Sequence, residues 1–245
     1  MEVEVRALVA GLERPAEERI QGWTFWRGTL DGYPVIVSKT LKGMSSAAAA
    51  TALAVERFSP AAIINQGTAG GHDPALHVYD IVIGREAVNV GAFKTGFRPR
   101  GGGSNFAEWK PMDLLYSEGS AGQDPNAWTM HRFPADALLL RAANQASTTY
   151  AKGRVVEGVI ASSDTWTSEL DRIERLRDEF HTSVEEMETA SAAQVAGLSQ
   201  IPFLGIRVVS NNITNSQAYD GQTAPACQAF VIDVVKAYLG ARASR

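Results

Sequence analysis

Two hydrophobic patterns alternate along the chain. Short continuous apolar runs at residues 34–38, 61–65, 80–84, 155–162 and 201–209 have the length of buried strands. Between them lie stretches with helical character. These are 45–58 with its alanine core, 135–147 carrying Leu138, Leu139 and Leu140, the charged 168–180, the small-residue stretch 186–198, and 226–239. Continuous apolar strands alternating with helices predict an α/β fold: a single domain whose mixed, mostly parallel central sheet is flanked by helices. The strand at 61–65 is expected to end at the glycine-rich turn 66–71, and residues 86–90 to extend the 80–84 strand beyond a break. Residues 94–133 fit neither period. This long insert holds Gly101-Gly102-Gly103 and the aromatics Trp109, Tyr116 and Trp128, a content that favours a lid or a subunit contact over disorder.

Composition narrows the partners. The 245 residues carry 23 Lys+Arg against 27 Asp+Glu, a net charge of -4, which argues against a nucleic-acid partner. No apolar run approaches the roughly 18 residues of a membrane span. The opening Met1-Glu2-Val3-Glu4-Val5 is acidic and alternating, unlike a signal peptide, so a cytoplasmic location is expected. The lone cysteine, Cys227, excludes an intramolecular disulfide, and no Cys/His cluster suggests zinc.

Three polar stretches sit where open α/β sheets place ligands, at strand ends. In Asn65-Gln66-Gly67-Thr68-Ala69-Gly70-Gly71, glycines let backbone N–H groups approach an anionic or hydroxylated ligand, although a plain tight turn reads the same way. Glu185, Glu186 and Glu188 cluster at an expected helix start, where the macrodipole alone favours acids; a carboxylate there also accepts two hydrogen bonds from a vicinal diol. Arg207, ahead of the polar stretch Ser210-Asn211-Asn212, suits neutralising a carboxylate, binding phosphate or pairing at the surface.

Taken together, these stretches resemble the 5'-methylthioadenosine/S-adenosylhomocysteine nucleosidase branch of the purine nucleoside phosphorylase superfamily. The likeness runs through the Met-Glu opening, Ile64 to Gly71 with Asp80-Ile81-Val82, Gly158 to Asp164, Glu186-Met187-Glu188-Thr189-Ala190, and Pro202 through Ser210. It implies hydrolysis of the N-glycosidic bond of a purine nucleoside through a ribosyl cation-like transition state, without a metal or organic cofactor, in a homodimer. By the same resemblance Glu4 activates water, held with the help of Arg207 and of Thr68, Ala69 and Gly70. Glu186, Met187 and Glu188 meet the ribose. Trp166 stacks on the base and Thr167 recognises its edge, although Trp166 reads equally as core filler and Glu4 as an exposed terminal acid.

Two departures bear on the chemistry. The family's Ser-Asp, whose acid protonates purine N7, is here Ser210-Asn211, and an amide donates a hydrogen bond but no proton. Relatives acting on 6-oxopurine nucleosides share this asparagine. Family members also begin with a short buried strand before the Met-Glu segment, so residues upstream of Met1 are expected, since without that strand sheet edges stay unpaired. Two rival readings remain: a phosphate-dependent phosphorylase drawing on Lys42 and Arg85, and a non-catalytic nucleoside-binding or storage protein.

Overall fold

The computed structural model describes residues 2–112 and 132–243. The chain opens not as a strand but as a short 3-10 turn at Glu2–Glu4 followed by helix α1 (Arg6–Ala10). Gln228 holds this shape: its Oε1 accepts from Ala7 N at 2.7 Å and its Nε2 donates to Val3 O at 2.7 Å, contacts a strand would not present. An antiparallel meander follows, β1 (Glu13–Ile20), β2 (Trp23–Leu30) and β3 (Tyr33–Lys39). The turn from β2 to β3 is Asp31-Gly32, with φ +50° and +80°, the left-handed pair that matches strand twist in a two-residue hairpin.

Helix α2 (Met44–Phe58) leads into β4 (Ile63–Gly71), which runs straight through the glycines instead of stopping at them. These glycines have no left-handed φ; they serve close approach. A Cβ on Gly67 would lie 3.1 Å from Glu4 Oε1, and one on Gly71 would lie 2.5 Å from Asn212 Nδ2. Strand β5 (Ile81–Asn89) is continuous, the expected break being a register shift between Gly84 and Glu86. Beyond it the insert begins with β6 (Phe93–Lys94) paired to β7 (Lys110–Pro111), and it returns to the sheet at β8 (Arg132–Pro134). Tyr116 and Trp128 lie outside the described residues.

Helix α3 (Ala137–Ala146) is capped by Asp136, whose carboxylate accepts from Leu138 N and Leu139 N at 2.9 Å. Strand β9 (Val155–Ser162) and helix α4 (Leu170–Phe180) precede β10 (Thr182–Glu186), a strand in place of the expected helix start. Its Thr-Ser-Val-Glu-Glu sequence lacks an apolar run, and buried polar partners satisfy the side chains instead. Helix α5 (Thr189–Leu198), strand β11 (Phe203–Asn211) and helix α6 (Ala224–Ala243) complete the fold.

The main sheet is mixed, in the order β11-β4-β10-β9-β5-β8. Because β5 also pairs antiparallel with β11, five of its strands close into a small barrel filled by Val82, Ile160, Val184 and Val209. Helices α3 and α6 cover one side through Leu139, Phe230 and Val234, packed on Ile81, Ile83, Leu204 and Ile206. Helix α4 covers another through Leu176 and Phe180 against Val88 and Val159. The meander stands apart from this barrel. Among the described residues β3 pairs only with β2, and positions 63–69 of β4 pair only with β11.

Candidate active site

The ends of β4, β10 and β11 open into a cavity of about 870 Å³. Every site residue expected from the sequence lines it: Glu4, Thr68, Ala69, Gly70, Trp166, Thr167, Glu186, Met187, Glu188, Arg207, Ser210 and Asn211. They divide into two ends.

One end is built on strands. Arg207 is 1% exposed, which excludes a surface ion pair. Its Nε donates to Glu186 Oε2 at 3.1 Å, Nη1 donates to the carbonyls of Asn65 (3.1 Å) and Ile206 (2.9 Å), and Nη2 donates to Glu186 Oε2 and Asn65 Oδ1. Burial opposes its charge, but the Glu186 and Glu188 carboxylates outweigh that and hold the guanidinium pKa above its ordinary value. Glu186 is fully engaged by the protein. Besides Arg207 it accepts from Ser162 Oγ, from Thr189 N at 3.0 and 3.1 Å, and from Glu188 N at 3.0 Å, so it caps α5 and anchors Arg207.

Glu188 projects from the same turn. Its Oε1 accepts from Gly43 N at 3.0 Å and its Oε2 lies 4.0 Å from Arg207 Nη2. Burial, reinforced by the neighbouring Glu186 charge, pushes its pKa up to about 7. Glu4 reaches the same spot from the amino-terminal turn. Its Oε1 accepts from Thr68 N and Thr68 Oγ1, both at 3.0 Å, and Gln66 Nε2 donates to its carbonyl at 2.6 Å. Burial raises the Glu4 carboxyl, while the hydrogen bonds from Thr68 N and Thr68 Oγ1 favour its charged form, and the net pKa is lowered. Glu4 is therefore a carboxylate near neutrality, not an exposed acid.

The other end combines two loops with the last residues of β11. Trp166 is 66% exposed, so it is no core filler, and it meets Tyr219 edge-on with ring centroids 6.0 Å apart. The single Ser210 hydroxyl proton is shared between Ala69 O at 3.2 Å and Asn211 Oδ1 at 3.0 Å, and the Asn211 amide nitrogen faces Gly70. Sequence reasoning placed Gly43 with Lys42 as a phosphate candidate, whereas it sits at a positive φ of +98° with its N–H on Glu188, and it missed Tyr219, which lies in an aperiodic loop with no signal of its own.

The phosphorylase-superfamily family model matches residues 1–240. A 5'-methylthioadenosine/S-adenosylhomocysteine nucleosidase from Shewanella pealeana is 34% identical over 221 residues, 90% of this chain and 86% of the relative. The chain belongs to this family. The crystal structure of the nucleosidase from Neisseria meningitidis, in complex with methylthio-immucillin-A, superposes with a TM-score of 0.76 at 26% identity, covering 96% of this chain and 95% of that one. Futalosine hydrolase of Helicobacter pylori shares the fold, with a TM-score of 0.76 at 21% identity over 96% and 94% of the two chains.

Within this family member the cations offered for a phosphate site separate. Lys42 lines the cavity, whereas Arg85 is exposed on β5 and does not. Away from the carboxylates the cavity continues between β3 and β4 into an apolar chamber walled by Val35, Val37, Ile64, Val231 and Val235. Among the described residues no group of three or more His, Cys, Asp or Glu side chains is placed to hold a metal ion.

Proposed function

We propose that this chain hydrolyses the N-glycosidic bond of a purine nucleoside of the 5'-methylthioadenosine/S-adenosylhomocysteine type, with Glu4 activating the water. The observation that carries the reading is the meeting of Glu4, Glu188 and the Glu186–Arg207 pair in one cavity, although they are scattered over more than 200 positions. Water bound beside Glu4 and Thr68 attacks the anomeric carbon as the carbon–nitrogen bond to the base breaks. Its proton passes to the Glu4 carboxylate, the bond's electron pair leaves on the purine, whose N7 accepts a hydrogen bond from Asn211 Nδ2, and solvent supplies the proton that completes the free base. Glu188 accepts from the ribose 2'- and 3'-hydroxyls and stabilises the positive charge that develops on the sugar. Met187 packs beside the ribose, Trp166 stacks on the base, and Thr167 meets the base edge.

Arg207 supports hydrolysis over phosphorolysis. Its donors are already turned to Glu186, Asn65 and Ile206, and it is not available to clamp a phosphate. At the base end Asn211 supports a second reading. With its Oδ1 bonded to Ser210, its Nδ2 offers two protons, which suit the adjacent acceptors N7 and O6 of a 6-oxopurine. The enzyme is proposed to act as a homodimer, checked by its mass in solution. The test of function is release of free base from methylthioadenosine, S-adenosylhomocysteine and inosine, with and without phosphate. Phosphate-independent release supports the hydrolase; strict phosphate dependence or no release from any of them overturns it.

A further inference from the structure

The adjacent glutamates of β10 point to opposite faces, as strand neighbours must, and each holds a buried arginine. Glu186 holds Arg207 at the sugar end. Glu185, 8% exposed, holds Arg172, 9% exposed, with Arg172 Nη1 donating to Oε1 at 3.0 Å and to Oε2 at 3.3 Å. The second pair is tied in from every side. Ser163 Oγ donates to Glu185 Oε1 at 2.8 Å, and His72 Nε2 lies 3.3 Å from Oε2 while its Nδ1 lies 2.8 Å from Thr182 Oγ1. No part of the proposed chemistry uses this pair, and a buried ion pair costs desolvation that its own attraction seldom repays.

Its outward contacts give it a task. Arg172 Nη1 also donates to Thr167 Oγ1, and Nη2 donates to Ser163 Oγ at 3.5 Å. One guanidinium therefore grips both ends of the 163–167 loop, on which Trp166 faces the cavity. The same guanidinium lies 5.2 Å from the ring centre of Phe106, and that of Arg175 lies 4.8 Å away. Phe106 belongs to the insert, where it packs edge-on against Phe93 and Trp109, and Arg175 Nη2 donates to Trp109 O at 2.7 Å. The insert is thus fastened to α4 at the point where α4 controls the base loop.

We propose that Arg172, braced by Glu185 and covered by Phe106, is a positioning residue for base recognition, and that the 93–112 part of the insert sets purine affinity through it. The proposal rests on the nucleosidase reading for the identity of the base loop.

Two variants test it. Phe106→Ala removes the cover and keeps the ion pair. The double variant Arg172→Met/Glu185→Gln removes both charges together, so that neither is left buried alone. Two readouts are taken: the dissociation constants of free adenine and hypoxanthine, and KM against kcat for whichever nucleoside the wild-type enzyme cleaves. The expected result is a dissociation constant and KM raised about tenfold in the double variant and about threefold in Phe106→Ala, with kcat within about twofold. A merely structural pair would lower the melting temperature without this split. Unchanged base affinity in Phe106→Ala overturns the proposal, even where the double variant fails to fold, and so does a fall in kcat at constant KM. Failure of wild type to cleave any nucleoside while it still binds the bases would sink the nucleosidase reading instead, and base affinity would still test the loop.

Discussion

The two ends of the cavity are made by different means. At the sugar end Thr68, Glu186 and Arg207 stand on β4, β10 and β11, Glu188 on the turn after β10, and Glu4 on the amino-terminal turn pinned to β4 through Thr68 and Gln66; Arg207 is almost wholly buried. At the base end Trp166 and Tyr219 stand on loops, 66% and 49% exposed, with their rings edge-on to one another, and Asn211 ends β11. The demands differ in the same way. Stabilising a ribosyl cation requires charges fixed in advance, which a low-dielectric, fully bonded setting provides. Discriminating between purines requires adjustable contacts, and rigid scaffolds commonly carry such contacts on loops. Asn211, at the last position of β11, is where the two means of construction meet.

The hardest break to the sugar end is at its base. Glu4→Gln keeps the size of the side chain but cannot take a proton, so turnover is expected to fall about 10²–10⁴-fold. Nucleoside affinity should persist, measured by calorimetry on the variant. Turnover within threefold of wild type would remove Glu4 from the mechanism.

Next comes the brace. Arg207→Met leaves Glu186 buried without its cation and should cost about 3–5 kcal/mol of stability, read from urea unfolding. Adding Glu186→Gln should restore much of that loss while activity stays low, separating the brace's part in folding from its part in catalysis. No such recovery would mean that Arg207 acts mainly through Asn65 and the Ile206 carbonyl.

Glu188 gives the sugar end a pH signature. With its pKa raised to about 7 by burial and by Glu186, it is neutral below that pH and a carboxylate above it. Only the carboxylate accepts from both ribose hydroxyls. The kcat/KM should therefore rise about tenfold per unit up to pH 7 and then level, and Glu188→Gln should lower and flatten that limb. The stability effect runs the other way. A folded pKa above the ordinary 4.5 means that this group favours folding at low pH, and that the benefit is lost as pH climbs from 4.5 to about 7.

The contrast also explains what could be read from residues alone. The resemblance put Glu4, Arg207 and Glu188 in one site, and the fold brings all three to one cavity. The strand character of β10 was not legible, since Thr182-Ser183-Val184-Glu185-Glu186 looks like a solvated helix start until His72, Arg172 and Arg207 are seen to satisfy it. Strand β1 was hidden for a related reason: Glu13–Ile20 is mostly exposed and carries no alternating apolar face. The Asp31-Gly32 pair is a hairpin signal that points to β2 ahead of the strand expected at 34–38. Glycines 67, 70 and 71 suggested a turn, because crowding by Glu4, Asn211 and Asn212 is invisible without the third dimension.

The smallest effect, and the sharpest for the comparison, lies with Asn211→Asp at the base end. The amide donates from Nδ2 with its Oδ1 tied to Ser210, an arrangement suited to O6 and N7 of a 6-oxopurine. A carboxylic acid in the same place delivers a proton to N7 and accepts from a 6-amino group. The ratio of kcat/KM for methylthioadenosine to that for inosine should rise roughly tenfold, while the Glu188 pH limb stays where it was. An unchanged ratio would take base selection away from Asn211 and leave it with Trp166 and Thr167. A displaced Glu188 limb would mean that the two ends communicate, and the division between a fixed sugar end and an adjustable base end would fail.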